Sequence, residues 1–324
     1  MKIALIICIN NYPNGGDLYG CVNDAYSVKG ILERNFDGSI NFECRLLTAS
    51  NEKESLERGE LKDAIRILFS TKAEVALLYF PGHGHIETTG GYLLGNDAKR
   101  GDEGVSLNDI LVLANNSPAT NKVIILDSCH SGIAGNSPNI QDSALISEGI
   151  TILTASTSDQ YASEINGSGV FTALLVDALS GSASNILGDI TPGSVYAHIE
   201  QSLGAWEQRP IFKTNVRNFI SLRKAAPSIE LEDLRMIKNL FPTAGFEFKL
   251  DPTYEPELKG RDLGMPDPVE HNTKTFSILQ KYNRLNLLKP VDAPHMWNAA
   301  MESRSCKLTA LGEHYRKLAA NDRI

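Results

Sequence analysis

An α/β sandwich with a mostly parallel central sheet of about six strands is the fold class this 324-residue chain predicts. Three observations carry it. Val75-Ala76-Leu77-Leu78-Tyr79-Phe80 and Val123-Ile124-Ile125-Leu126 are unbroken apolar runs of strand length, the pattern of strands buried on both faces. Segments with helical apolar spacing lie between such runs, so strands and helices alternate, as parallel crossovers require. Both runs also stop abruptly, one at Pro81-Gly82-His83-Gly84-His85 and the other at Asp127-Ser128-Cys129-His130-Ser131-Gly132.

In chain order, Ile3 to Ile9 reads as the first strand, followed by a turn-rich segment from Asn10 to Gly20. Its glycines do not fit the GxGxxG spacing of a dinucleotide loop. A helix runs from about Asn23 to Asn35, with Val28, Ile31 and Leu32 on one face. Phe42 to Leu47 is the next strand, and Leu56 to Phe69 a helix with Leu61, Ala64, Ile65 and Leu68 inward. Gly90 to Gly95 suggests a hairpin, and Asn96 to Gly104 an acidic loop. Ser106 caps a helix to Leu113, with Asp109 in its capping box. Ile133 to Glu148 is polar and rich in Ser, Asn and Gly, a surface loop. Gly149 to Thr154 is a buried strand, Val170 to Leu179 and Ser194 to Leu203 are helices, and the stretches at 208–212 and 219–222 close the sheet.

Residues 1–224 form one domain in this reading, and 225–270 a linker region with ten acids, five bases and Pro-containing turns. Residues 271–324 form a small α+β module. Thr275 to Leu288 carries Phe276, Leu279, Tyr282 and Leu285 at helical spacing, Met296 to Leu308 reads as a short hairpin, and Thr309 caps a last helix with Leu311, Tyr315 and Leu318 inward. Helix, hairpin and helix resemble part of a winged-helix module. Its nine bases against four acids suit a nucleic acid or a phosphate-bearing ligand, or equally a docking domain with a solvated charged surface. No helix–turn–helix pair stands out, so DNA reading is not favoured.

The net charge of −8 belongs wholly to residues 1–224, with seventeen Lys/Arg against twenty-five Asp/Glu, which suits basic substrates. No apolar run approaches the length of a membrane span. The start, MKIALIICIN, lacks a small-residue cleavage site and reads as a strand rather than a signal peptide. Five scattered cysteines argue against a disulfide framework and for a reducing compartment, so a cytoplasmic location is expected. Cys8 and Cys44 read as buried hydrophobes.

Carboxyl ends of strands form the ligand crevice of open α/β sheets, so Cys129 is a candidate nucleophile and His83 its candidate base. The glycines around His83 let backbone approach a substrate, and the Gly84 amide can face a developing oxyanion. The competing reading is a zinc site from His83, His85, Cys129 and His130, although no spaced ligand pairs supply a tetrahedral set.

YFPGHGH followed about forty residues later by ILDSCHSG resembles the caspase-like cysteine peptidases, specifically the metacaspase and bacterial orthocaspase branch, over residues 1 to 222. Animal caspases carry a QACRG-type sequence where this chain has DSCHSG. The resemblance implies a Cys129–His83 dyad acting on protein or peptide substrates. Leu18 to Ala25 is similar to the metacaspase LxGCxNDA motif, in which the aspartate matching Asp24 lines the pocket for the residue before the scissile bond. Asp127 would join it, and two carboxylates there select Arg or Lys. Asp24 alone also reads as a helix N-terminal acid. No cofactor is expected, although relatives often bind calcium in acidic loops, which makes Asp97, Asp102 and Glu103 candidate ligands. The acids here fit that pattern poorly. Many relatives are cut after the nucleophile during maturation; no Lys or Arg lies between Lys122 and Arg209, so this chain is expected to work uncut.

Bacterial enzymes of this type are often effectors of anti-phage defence or cell death, which suggests a nucleotide signal or protein activator acting at the C-terminal module. The alternative is a DNA-binding or scaffold regulator with a degenerate hydrolase domain.

Overall fold

The computed structural model describes the chain except for residues 89, 129–135, 138–139, 145, 156–163, 166–167 and 205–208. It contains two compact units, Met1–Ala226 and Pro227–Ile324.

The first unit is threaded by β1 (Lys2–Ile9), β2 (Phe42–Ala49), β3 (Val75–Pro81), β4 (Gly84–Glu87), β5 (Gly90–Leu93), β6 (Val105–Ser106) and β7 (Asn121–Asp127), followed by the strands Ile150–Thr154 and Ile211–Asn215. Six of these form the central sheet, in the order Ile211–Asn215, Ile150–Thr154, β7, β3, β1, β2. All neighbours are parallel except Ile211–Asn215, which runs antiparallel on Ile150–Thr154. The mostly parallel six-stranded expectation therefore holds. Phe219 to Leu222 adds no strand to it. Instead Arg223–Lys224 pairs with Asp189–Ile190 in a separate two-stranded ladder.

Alternation along each strand divides the core into two layers. Ile7 of β1, Leu78 and Phe80 of β3 and Leu126 of β7 face one layer, which α2 (Arg58–Ser70) and α3 (Leu107–Asn115) cover. Ile6, Tyr79 and Ile125 face the other, covered by α1 (Cys21–Glu33), α4 (Val170–Asp177) and α5 (Pro192–Ser202). Every residue of β3 is buried. Truncating a side chain such as Leu78 would cost about 2–5 kcal/mol, so the strand ends that carry the site rest on a rigid floor.

Local signals explain some helix boundaries. Ser106 caps α3 by accepting from the Asn108 N–H at 3.2 Å, but Asp109 pairs with Lys62 at 2.6 Å rather than completing a capping box. Gly20 has no side chain with which to cap α1. Asn10, at the end of β1, supplies the missing acceptor to the Val22 N–H at 3.0 Å. The hairpin falls at β4–β5, and β6 extends it to three strands. The loop expected over 133–148 lies partly outside the described residues; within it, Asn136–Ser137 pairs antiparallel with Ile140–Ala144.

The second unit takes in 227–270, the stretch expected as a linker. Glu247–Lys249 lies within that stretch and pairs with Ser305–Leu308, which in turn pairs with Leu288–Val291, forming a three-stranded antiparallel sheet. The expected hairpin over 296–308 is instead a helix, Met296–Met301, followed by one of these strands. The order from residue 270 is thus helix, strand, helix, strand, helix. Thr309 caps the last helix as expected, by accepting from the Gly312 N–H at 3.1 Å. That helix buries Tyr315 and Ala319 while Leu311 is exposed.

Candidate active site

β3 and β7 are parallel neighbours whose last paired residues are Pro81 and Asp127. In the sequence His83 is two residues past the first and Cys129 two past the second. Cys129 itself, with His130, lies outside the described residues. The Gly82 N–H donates to the Asp127 carbonyl at 3.3 Å and ties the two strand ends together beyond the last pair.

His83 is held on three sides. Its Nε2 bonds the Gly16 carbonyl at 2.8 Å, and a carbonyl only accepts, so the proton sits on Nε2 and the Nδ1 lone pair is the basic one. Its backbone N–H donates to the Tyr12 hydroxyl at 3.1 Å, and the two rings stand 4.5 Å apart at 53°. Burial pushes the Tyr12 phenol well above its ordinary range, with the nearby Cys21 adding to the shift, so it remains a neutral hydroxyl. Gly16 has a φ of +85°, a conformation suited to glycine, and it is this turn that presents the carbonyl to the imidazole. A side chain at Gly82 would meet the Phe80 ring and the Tyr12 hydroxyl within 2.8 Å. Gly84 opens β4 and lines a cleft with His83.

Asp24 and Asp127 are both buried, 3% and 8% exposed. Asp24 sits in the first turn of α1, as its reading as a helix N-terminal acid requires, yet it also reaches across to accept from the Gly169 N–H at 2.9 Å. Asp127 accepts from the Thr172 hydroxyl at 2.7 Å, and Thr172 is bonded in turn to the buried Tyr79 hydroxyl. A Cβ at Gly169 would lie 2.7 Å from Asp127 Oδ2 and 3.3 Å from Asp24 Oδ2, so the two carboxylates converge on the same side of one glycine. Gly169 immediately precedes α4, whose N-terminal end favours negative charge.

The remaining candidates separate. Asp97 accepts from the Arg58 N–H, Asp102 pairs with Arg100 at 2.7 Å, and Glu103 accepts from the N–H groups of Lys99 and Arg100. These three carboxylates serve different donors. His85 pairs with Glu87 at 3.0 Å. Among the described residues, no group of three His, Cys, Asp or Glu side chains could hold a metal ion. Cys21 is buried and donates to the Pro81 carbonyl, and burial drives its thiol well above the ordinary range, the state of a structural thiol. Cys8 is fully buried, while Cys44 is half-buried, its thiol pushed up to about 12 by burial.

Tyr12, Gly16, Gly169 and Thr172 are the residues that sequence reasoning missed as parts of this site. No local signal marks them, because each acts through a contact far away in sequence.

Residues 1–220 match the family model of the caspase domain (Peptidase_C14), and the chain belongs to that family. The crystal structure of protein GSU0716 from Geobacter sulfurreducens is similar in fold, with a TM-score of 0.50 and 18% identity over 70% of this chain and 98% of that one. No curated protein matches significantly. No helix among the described residues is long and apolar enough to cross a membrane.

Proposed function

We propose that the chain is a cysteine endopeptidase of the metacaspase and orthocaspase type, cleaving after Arg or Lys through a Cys129–His83 dyad. Nδ1 of His83 takes the Cys129 proton, the thiolate attacks the scissile carbonyl, and His83 returns the proton to the leaving amine. The amides of Gly84 and Cys129 hold the tetrahedral oxyanion, a contribution of about 3 kcal/mol per donor. Water then hydrolyses the thioester.

The observation that carries the basic preference is the convergence of Asp24 and Asp127 on Gly169, next to the strand end that leads into Cys129. Two buried carboxylates converging on one position favour a cationic side chain by charge-assisted hydrogen bonds. With no Lys or Arg between residues 122 and 209, the enzyme acts without self-cleavage after the nucleophile.

The C-terminal unit is the regulatory module in this reading, taking a nucleotide signal or a protein activator in a bacterial defence or cell-death system. Its antiparallel sheet and helices keep the α+β composition of a winged-helix-like module, although the hairpin that first suggested the likeness is absent.

Turnover of fluorogenic peptides ending in Arg, Lys or Asp tests the reading, with Cys129→Ala as control. Release after Arg and Lys alone, lost in the control, is expected. Release after Asp overturns the pocket assignment.

A further inference from the structure

On the opposite layer from the two carboxylates, His83 borders a cleft of about 260 Å³ whose lining includes Tyr12, Asn14, Gly84, Lys99 and Arg100. The layers follow from the packing. Asp127 bonds Thr172 on α4, while Tyr12 and Leu93 belong to the core beneath α2 and α3. At this volume the cleft falls below the ~300 Å³ at which cofactor and drug-sized sites begin. It has ample room for the side chain of one substrate residue.

The lining carries two permanent positive charges and no carboxylate. Asp102 engages one face of the Arg100 guanidinium, which leaves it further donors, and no carboxylate lies within ion-pair distance of the Lys99 ammonium among the described residues. Glu103 accepts from both backbone N–H groups of the pair and so holds the loop on which they sit. Asn14 donates to the Ala98 carbonyl at 3.2 Å, joining that loop to the one that carries Gly16. The backbone that bears the basic residues is therefore tied to the loop whose carbonyl orients His83.

The chemistry then decides which part of a substrate enters. His83 must reach the nitrogen of the leaving amine to protonate it, so the residue bearing that nitrogen lies against His83, and the cleft continuous with His83 receives its side chain. We propose that Lys99 and Arg100 form a subsite for an acidic residue immediately after the scissile bond, so that the preferred cleavage sequence is a base followed by an acid. This rests on the peptidase reading above and adds to it the second half of the sequence that is recognised.

Internally quenched peptides identical except for Glu, Gln or Lys after a single Arg test it on the full chain. Glu is expected to be cleaved about tenfold more efficiently than Gln in kcat/KM, with Lys slower again. The Glu/Gln ratio should shrink at high salt and fall towards one in a Lys99→Gln, Arg100→Gln variant. Lys99→Glu with Arg100→Glu should invert the order. Because each ratio is taken within one enzyme, a general loss of activity does not imitate the result. Cleavage at all three peptides with equal efficiency, or a Glu preference that survives both double variants, overturns the subsite and leaves the peptidase reading intact. No thiol-dependent cleavage of any of them overturns both.

Discussion

The two layers around His83 carry opposite charges and hold them differently. Beneath α1 and α4, Asp24 and Asp127 are buried and bonded to the Gly169 amide and the Thr172 hydroxyl. On the α2 and α3 side, Lys99 and Arg100 are exposed on a loop. A buried charge with fixed donors has little freedom to relax and is strengthened by low local dielectric, so it can dominate selection. An exposed pair is screened by salt and adjusts the rate within a smaller range. Selectivity for the residue before the scissile bond should accordingly be large and salt-resistant, and selectivity after it modest and salt-sensitive.

The largest break in this contrast is removal of a buried carboxylate. Asp127→Asn should lower kcat/KM for Arg peptides by about 10–100-fold, the equivalent of a charge-assisted hydrogen bond in a buried setting. The loss should appear mainly in KM, because the carboxylate grips the substrate side chain rather than the reacting bond. A variant with unchanged kcat/KM would remove Asp127 from the pocket.

A smaller effect comes from what holds that carboxylate. Thr172→Val keeps the volume but deletes the hydroxyl between Asp127 and Tyr79, and about a fivefold to tenfold rise in KM is expected, at one to 1.5 kcal/mol for the lost bond. Thr172→Ser should restore it. A fall in kcat with KM unchanged, or no rescue by Ser, would show that Thr172 serves packing instead of pocket geometry.

What the sequence revealed follows from the range of the interactions involved. Parallel strands buried on both faces are unbroken apolar runs, and β3 and β7 could be read directly. In the sequence, His83 and Cys129 each stand two residues past the last paired position of those runs. Contacts between distant segments left no such trace. The Gly16 carbonyl on His83 spans sixty-seven residues and the Gly169 amide on Asp24 spans 145. Nothing local to Gly16 or Gly169 announces either. In the C-terminal unit the errors have another source. The run from Met296 to Leu308 is too short for periodicity to separate helix from strand, and it holds one of each. The acidic, Pro-containing stretch before 270 reads as a linker by composition, yet Glu247–Lys249 finds its partner strand at Ser305–Leu308, far along the chain.

The pairing of His83 with Cys129 is tested most directly by the pH dependence of alkylation at Cys129. Iodoacetamide labelling followed residue by residue by peptide mass spectrometry isolates that thiol from Cys8, Cys21 and Cys306, which are buried, and from Cys44. An imidazolium beside the sulfur stabilises the thiolate, so the labelling midpoint should lie below the ~8.5 of a free cysteine and rise towards that value in His83→Ala. Identical midpoints near ~8.5 in the native protein and in His83→Ala would contradict the dyad.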